Sequence, residues 1–195
     1  MANRRYSWLL GTGAIAFLTL FSQAPKAVAD LPPTENYFGQ PPQLLEVYTT
    51  NTTEDRPADY RFRFEIPATA EQPIAQMIFT QVEGFGYPRF SESRTSAVVN
   101  LGERAVSPLP LVDVDDDRGD KTMVLTFDPP IEPGQRITVV LRARHNPDAG
   151  TYLYDITALP PGVSGPGQRL GLGRLQFYER RFTNRWVLPA RFSAD

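Results

Sequence analysis

Over residues 60–66, Tyr60, Phe62, Phe64 and Ile66 fall on one side of an extended chain, while Arg61, Arg63 and Glu65 fall on the other. A two-residue period of this kind marks a strand with one face on a core and the other in water. The run stops at Pro67. The same period returns over 122–127, with Met123, Leu125 and Phe127 on one side, and over 137–143, with Ile137, Val139, Leu141 and Ala143. Between these two lies Asp128-Pro129-Pro130-Ile131-Glu132-Pro133-Gly134. Proline fixes φ and lacks a ladder donor, so this stretch predicts a turn-containing connection rather than a strand. The strands it joins then pair with each other or lie in facing sheets.

Further strands are predicted over 45–49, 74–82, 97–101, 152–158 and 170–178, with a short helical turn over 68–73. After residue 30 no sustained 3.6-residue apolar pattern occurs. Seven to nine short strands without crossover helices predict an all-β domain over 43–178. Each half-apolar sheet must bury its face on another layer, which makes the expected architecture an immunoglobulin-like two-sheet antiparallel sandwich. A closed barrel is the alternative.

The two ends read differently from the middle. Arg4 and Arg5 precede an apolar run from Trp8 to Phe21, and Ala27-Val28-Ala29 follows. This is the pattern of a secretion signal cleaved after residue 29. The run falls short of the roughly 20 residues that span a bilayer, so no transmembrane segment remains after cleavage. The expected destination is outside the cytoplasm: the periplasm first, with the thylakoid lumen or the medium as alternatives. Residues 30–42 contain Pro32, Pro33, Pro41 and Pro42 and read as an extended leader. Residues 179–195 form a tail in which Arg180, Arg181, Arg185 and Arg191 interleave with Phe182, Trp186, Val187, Leu188 and Phe192. Such a tail either packs back on the domain or docks on a partner.

Composition narrows the chemistry. The 195 residues include no cysteine, which excludes disulfides, thiolate metal sites and a lipid-modified cysteine. The chain has 20 basic and 22 acidic residues; loss of Arg4, Arg5 and Lys26 with the signal takes the net formal charge from −2 to −5. Non-specific nucleic-acid binding is not expected of such a chain.

The most conspicuous local feature is Asp113-Val114-Asp115-Asp116-Asp117-Arg118-Gly119-Asp120. It reads as a solvated acidic turn, partly neutralised by Arg118 and Lys121. Alternatively Asp113, Asp115 and Asp117 contribute to a calcium site, since that ion takes six to eight oxygen ligands. The EF-hand pattern fails beyond them: Arg118 stands where that loop needs glycine and Val124 where it needs glutamate. His145 is the one histidine, expected on a solvent-facing rim, and Gly162-Val163-Ser164-Gly165-Pro166 breaks the nucleophile-elbow pattern at its last position. Gly162, Gly165, Gly167, Gly171 and Gly173 predict a loop and a bulged strand. Tyr152, Tyr154, Phe177, Tyr178 and Trp186 serve either as core or as the lining of a saccharide or peptide groove. No catalytic, cofactor-binding or metal-ligating residue is singled out.

Several of these stretches together resemble a known family. They are 60–67, 68–74, 127–134, 146–160 from Asn146-Pro147 through Tyr152 and Tyr154 to Pro160, Leu170-Gly171-Leu172-Gly173-Arg174, and Phe177-Tyr178. Over about 42–178 the chain resembles the cyanobacterial secreted proteins grouped as domain of unknown function 2808. The resemblance implies an exported β domain of cyanobacterial type and supplies no activity or site residues. The function expected is therefore that of a non-enzymatic cell-envelope module, structural or binding an envelope protein or surface polymer. A calcium-modulated module using residues 113–120 is the alternative, and a cell-wall hydrolase is a third reading.

Overall fold

The computed structural model describes residues 36–102 and 105–180. Its strands are β1 (Gln43–Thr49), β2 (Ala58–Glu65), β3 (Ile74–Glu83), β4 (Arg89–Phe90), β5 (Ser96–Asn100), β6 (Val106–Leu109), β7 (Leu111–Asp117), β8 (Thr122–Ile131), β9 (Arg136–His145), β10 (Gly150–Leu159) and β11 (Gln168–Phe177). Short 3-10 turns occupy Ala68–Ala70 and Glu92–Arg94. One sheet has the order β1-β2-β9-β5-β6, with β4 also pairing β9, and the other has the order β11-β10-β3-β8-β7. Pairing within both sheets is antiparallel. No helix among the described residues is long and apolar enough to cross a membrane.

The architecture is the immunoglobulin-like sandwich that the alternation predicts. The orders β1-β2-β9-β5 and β11-β10-β3 correspond to the A-B-E-D and G-F-C relations of that fold. β8 and β9 lie in facing sheets rather than pairing. Among the described residues there are eleven strands, above the seven to nine expected. β4, β6 and β7 account for the difference. β4 has only two residues, β6 carries Pro108 at a sheet edge where no ladder donor is needed, and β7 is the acidic run.

The proline-rich stretch also differs from expectation, because β8 continues through Pro129 and Pro130 to Ile131. Its ladder to β3 shifts between Thr126↔Gln76 and Ile131↔Ile74, and on the β7 side the last paired residue is Phe127. Both prolines therefore stand where no neighbour demands a backbone donor. The Asp128–Pro129 peptide is cis. Just before β1, Tyr37 and Phe38 are fastened to the domain: Phe38 is buried, and Gln168 Oε1 accepts hydrogen bonds from the N–H groups of Tyr37 (2.8 Å) and Phe38 (2.9 Å). The signal segment and the tail beyond Arg180 lie outside the described residues.

Between the sheets is an aromatic layer. Tyr60, Phe62 and Phe64 of β2 face Phe79 of β3, Tyr152 and Tyr154 of β10 and Phe177 of β11, all essentially without solvent exposure. Ring centroids lie 5.0 Å apart for Phe62–Phe79 and 5.5 Å for Tyr60–Phe177, in edge-on or tilted packing. At the edge where β1 meets β11 the approach is closer than side chains would permit. A Cβ on Gly171 would lie 2.9 Å from that of Leu44, and one on Gly173 3.0 Å from Val47 Cγ2.

Burying three tyrosines in this layer obliges the fold to satisfy their hydroxyls. Tyr60 donates to Asn146 Oδ1 (2.9 Å) and Tyr154 to Gln81 Oε1 (3.4 Å). The single hydroxyl proton of Tyr152 is shared between the carbonyls of Phe85 (2.5 Å) and Asp148 (2.9 Å). Asn146 and Gln81, each only 5% exposed, pass these bonds on to loops. Asn146 Nδ2 donates to the carbonyls of Asn51 and Thr53, and Gln81 Nε2 to that of Gly86 (2.6 Å). Because a buried group left without a partner costs about 1–3 kcal/mol, Asn146→Ala is expected to destabilise the chain by about 3 kcal/mol in urea unfolding. Tyr60→Phe removes a single hydrogen bond and is expected to cost about 1 kcal/mol. Equal losses for the two variants would show that Asn146 does not staple the loops.

Candidate functional site

The outer face of the six-stranded sheet collects arginines. Alternation on β2 turns Asp59, Arg61, Arg63 and Glu65 outward, and on β9 it turns Arg136, Thr138, Val140, Arg142 and Arg144 outward. Antiparallel register sets Asp59 against Arg142, Arg61 against Val140 and Arg63 against Thr138. Cross-strand pairing therefore interleaves the arginines with only a few acids. Asp59 accepts from Arg142 (2.6 Å) and lies 3.5 Å from Arg61. Arg63 pairs with Glu46 (3.0 Å) and Arg136 with Glu65 (2.8 Å). The latter two pairs are exposed, and pairs of that kind contribute about 0–1 kcal/mol to stability. Those two pairs therefore add little to the fold.

Two shallow depressions run over the face. One, of about 510 Å³, is lined by Pro57, Ser91, Ser93, Arg94, Arg142 and Arg144. The turn carrying Arg94 is tied to β9, since the Ser91 N–H donates to the Arg142 carbonyl (2.8 Å) and the Arg94 N–H returns to the Ser91 carbonyl (3.0 Å). Among the described residues no carboxylate lies within ion-pair distance of Arg94 or Arg144. The other depression, of about 500 Å³, is lined by Tyr48, Arg61, Arg63, Val98, Thr138 and Val140 among others. Arg61 Nε there is buried without a hydrogen-bond partner.

The acidic run takes a different form from the expected turn. Residues 113–117 belong to the edge strand β7, and only the following residues turn toward β8. Val114 points inward, where it packs on the core opposite Leu125. That contact holds the run extended. Asp113, Asp115 and Asp117 face outward beside Thr126, Val124 and Thr122, with successive Cα atoms about 7 Å apart as strand geometry requires. Among the described residues no group of three His, Cys, Asp or Glu side chains is placed to hold a metal ion. Asp116 turns inward and accepts a hydrogen bond from the Tyr87 hydroxyl (2.7 Å). Burial pushes its carboxyl above the ordinary aspartate range, against the lowering effects of the Tyr87 hydrogen bond and Arg118.

The remaining candidates do not assemble. His145 is exposed at the end of β9, its Nδ1 3.2 Å from Asp55. Ser164 lies in the β10–β11 connection, at the other end of the ten-residue strand β10, which separates it from the His145 end by about 30 Å. Tyr152, Tyr154 and Phe177 are core, whereas Tyr178 is exposed and Trp186 lies outside the described residues. Burial raises the phenols of Tyr60, Tyr87, Tyr152 and Tyr154 above the ordinary tyrosine range, so they act as neutral donors. Sequence reasoning did not single out the arginine face. The outward parity of Arg61 and Arg63 was visible, but their proximity to Arg142, Arg144 and Arg94 depends on β2 pairing β9 and on the turn packed beside it.

The sequence model of a family described as "Protein of unknown function (DUF2808)" matches residues 35–177. The chain belongs to that family. No curated protein matches this DUF2808 chain. Solved structures are similar to it in outline. One is BslA, described as a bacterial hydrophobin (16% identity, TM-score 0.43, 72% of this chain and 100% of that one). Another is an uncharacterized Nocardia farcinica protein with an immunoglobulin-like fold (16%, 0.37, 69% and 97%). A third is the Corynebacterium diphtheriae major pilin SpaA (14%, 0.41, 68% and 37%). At these scores they supply no site residue for the DUF2808 domain.

The inward carboxylate gives a pH prediction. A carboxyl raised in the folded state favours folding while it is protonated, and that advantage is lost as pH rises through its folded value. Asp116→Asn cannot ionise. The difference in melting temperature between variant and parent is therefore expected to move in favour of the variant from pH 4 to pH 7. A difference independent of pH would refute the assignment.

Proposed function

We propose that the chain is an exported, non-enzymatic module of the cyanobacterial cell envelope, and that it binds another envelope component through the outer face of its six-stranded sheet. The observation that carries this reading is the collection of arginines in open depressions on that face, Arg94 and Arg144 among them having no carboxylate partner among the described residues. Export is supported by the signal pattern of residues 1–29. A binding rather than catalytic role is supported by the titratable groups: neutral buried phenols, a histidine and a serine at opposite ends, and arginines that bind anions well but exchange protons poorly.

Co-sedimentation of the purified chain with a cyanobacterial envelope fraction tests the reading. The chain is expected to sediment, and reversing charge with Arg63→Glu and Arg144→Glu to release it at least fivefold, while Arg174→Glu on the other sheet has little effect. Indifference to the first pair would refute the proposed face. Release of soluble sugars or peptides from the fraction would refute the non-enzymatic reading.

A further inference from the structure

The two depressions are consecutive stretches of one track. Val140 and Arg142 are successive outward residues of β9, the first lining one depression and the second the other. From Thr138 to Arg144 the track follows β9 for about 20 Å, which suits an extended chain rather than a single small molecule. Arg61 and Arg142 share the single carboxylate of Asp59, and Arg94 and Arg144 have none among the described residues. Guanidinium groups in this state have donors left for anions that present two oxygens side by side, such as a planar carboxylate or a tetrahedral sulfate ester. Between the cations, Tyr48, Val98 and Val140 give the floor an apolar strip, and Ser91 and Ser93 add hydroxyls at one end.

Arginines spaced along an apolar floor match a polymer of rings that carry hydroxyls on their edges, C–H groups on their faces and an anionic group at intervals. We infer that the track binds an acidic polysaccharide bearing carboxylate or sulfate groups, with Arg61, Arg94, Arg142 and Arg144 as the anion contacts. This deepens the envelope-binding reading and rests on it. The division of charge between the two sheets fits the same ligand. The outer face of the other sheet carries Asp113, Asp115 and Asp117 along its edge strand, which disfavours a long polyanion there. A bilayer is a poorer match, because the cations line depressions rather than a protruding tip. The exposed tip residue Phe85 sits on the β3–β4 turn and does not line either depression.

The test is affinity electrophoresis of the purified full chain through gels containing polygalacturonate, dextran sulfate or neutral dextran, at low and at 300 mM salt. Retardation is expected in one or both acidic polymers and not in neutral dextran. Polygalacturonate separates carboxylate from the sulfate recognised in dextran sulfate. The double variant Arg94→Ser with Arg144→Ser, which breaks no ion pair among the described residues, is expected to weaken retardation at least tenfold. Arg174→Ser, on the opposite face, is expected to leave it unchanged, and salt to reduce it. Equal retardation of parent and double variant, or equal retardation in neutral dextran, overturns the proposal. Stronger binding to vesicles containing anionic lipid, or to an oligonucleotide of matched charge, overturns it in favour of those ligands. If the chain sediments with envelope through this face yet ignores both acidic polymers, the ligand class is wrong and the envelope reading stands. If it does neither, both fall.

Discussion

The structure depends on keeping tyrosine hydroxyls satisfied inside an otherwise apolar layer. Tyr60, Tyr152 and Tyr154 fill the space between the sheets with their rings, and leaving those hydroxyls unmet would cancel much of what ring burial contributes. All three hydroxyls are met at the same end of the sandwich, by Asn146, Gln81 and backbone carbonyls. The same two side chains hold the β1–β2 and β3–β4 loops. Core chemistry and loop conformation are thus one network. Gly84 shows how tight it is, since a Cβ there would meet the Tyr152 ring at 2.2 Å with φ at +119°. The loop it shapes presents Phe85 at 85% exposure from a backbone held by buried side chains.

With the interior settled in this way, the outer faces are free to differ, and they do. The six-stranded sheet gathers arginines over open depressions, while the edge of the other sheet carries a ladder of aspartates. The acidic edge also serves the fold. An uncovered strand offers unpaired backbone groups to any other strand, and closely spaced like charges discourage such pairing. At the edge of the six-stranded sheet, Pro108 in β6 removes a donor to similar effect. The family resemblance gains physical content here. The stretch from Asn146 to Tyr154 that carries it contains the loop staple and two of the three core tyrosines.

The sequence by itself determined eight of the eleven strands among the described residues, and for residues 60–66, 122–127 and 137–143 also the side that faces inward, because alternation reports burial locally. Residues 60–66 and 137–143 needed no partner to be read. It also set the absence of cysteine chemistry and the excess of acid over base. It missed the short strands β4 and β6, and it misjudged two further places where a neighbour outweighs local preference. Residues 113–117 became strand because Val114 has a core to enter and β8 to pair with, and β8 passed through Pro129 and Pro130 because no adjacent strand required their donors. Only the tertiary structure could decide the candidate site. Arg61 and Arg142 stand 81 positions apart in the chain, and nothing short of the β2–β9 pairing and the turn tied to β9 brings them and Arg94 onto one face. Charge that is scattered along a chain becomes a surface only when long-range pairing fixes which outward side chains are neighbours.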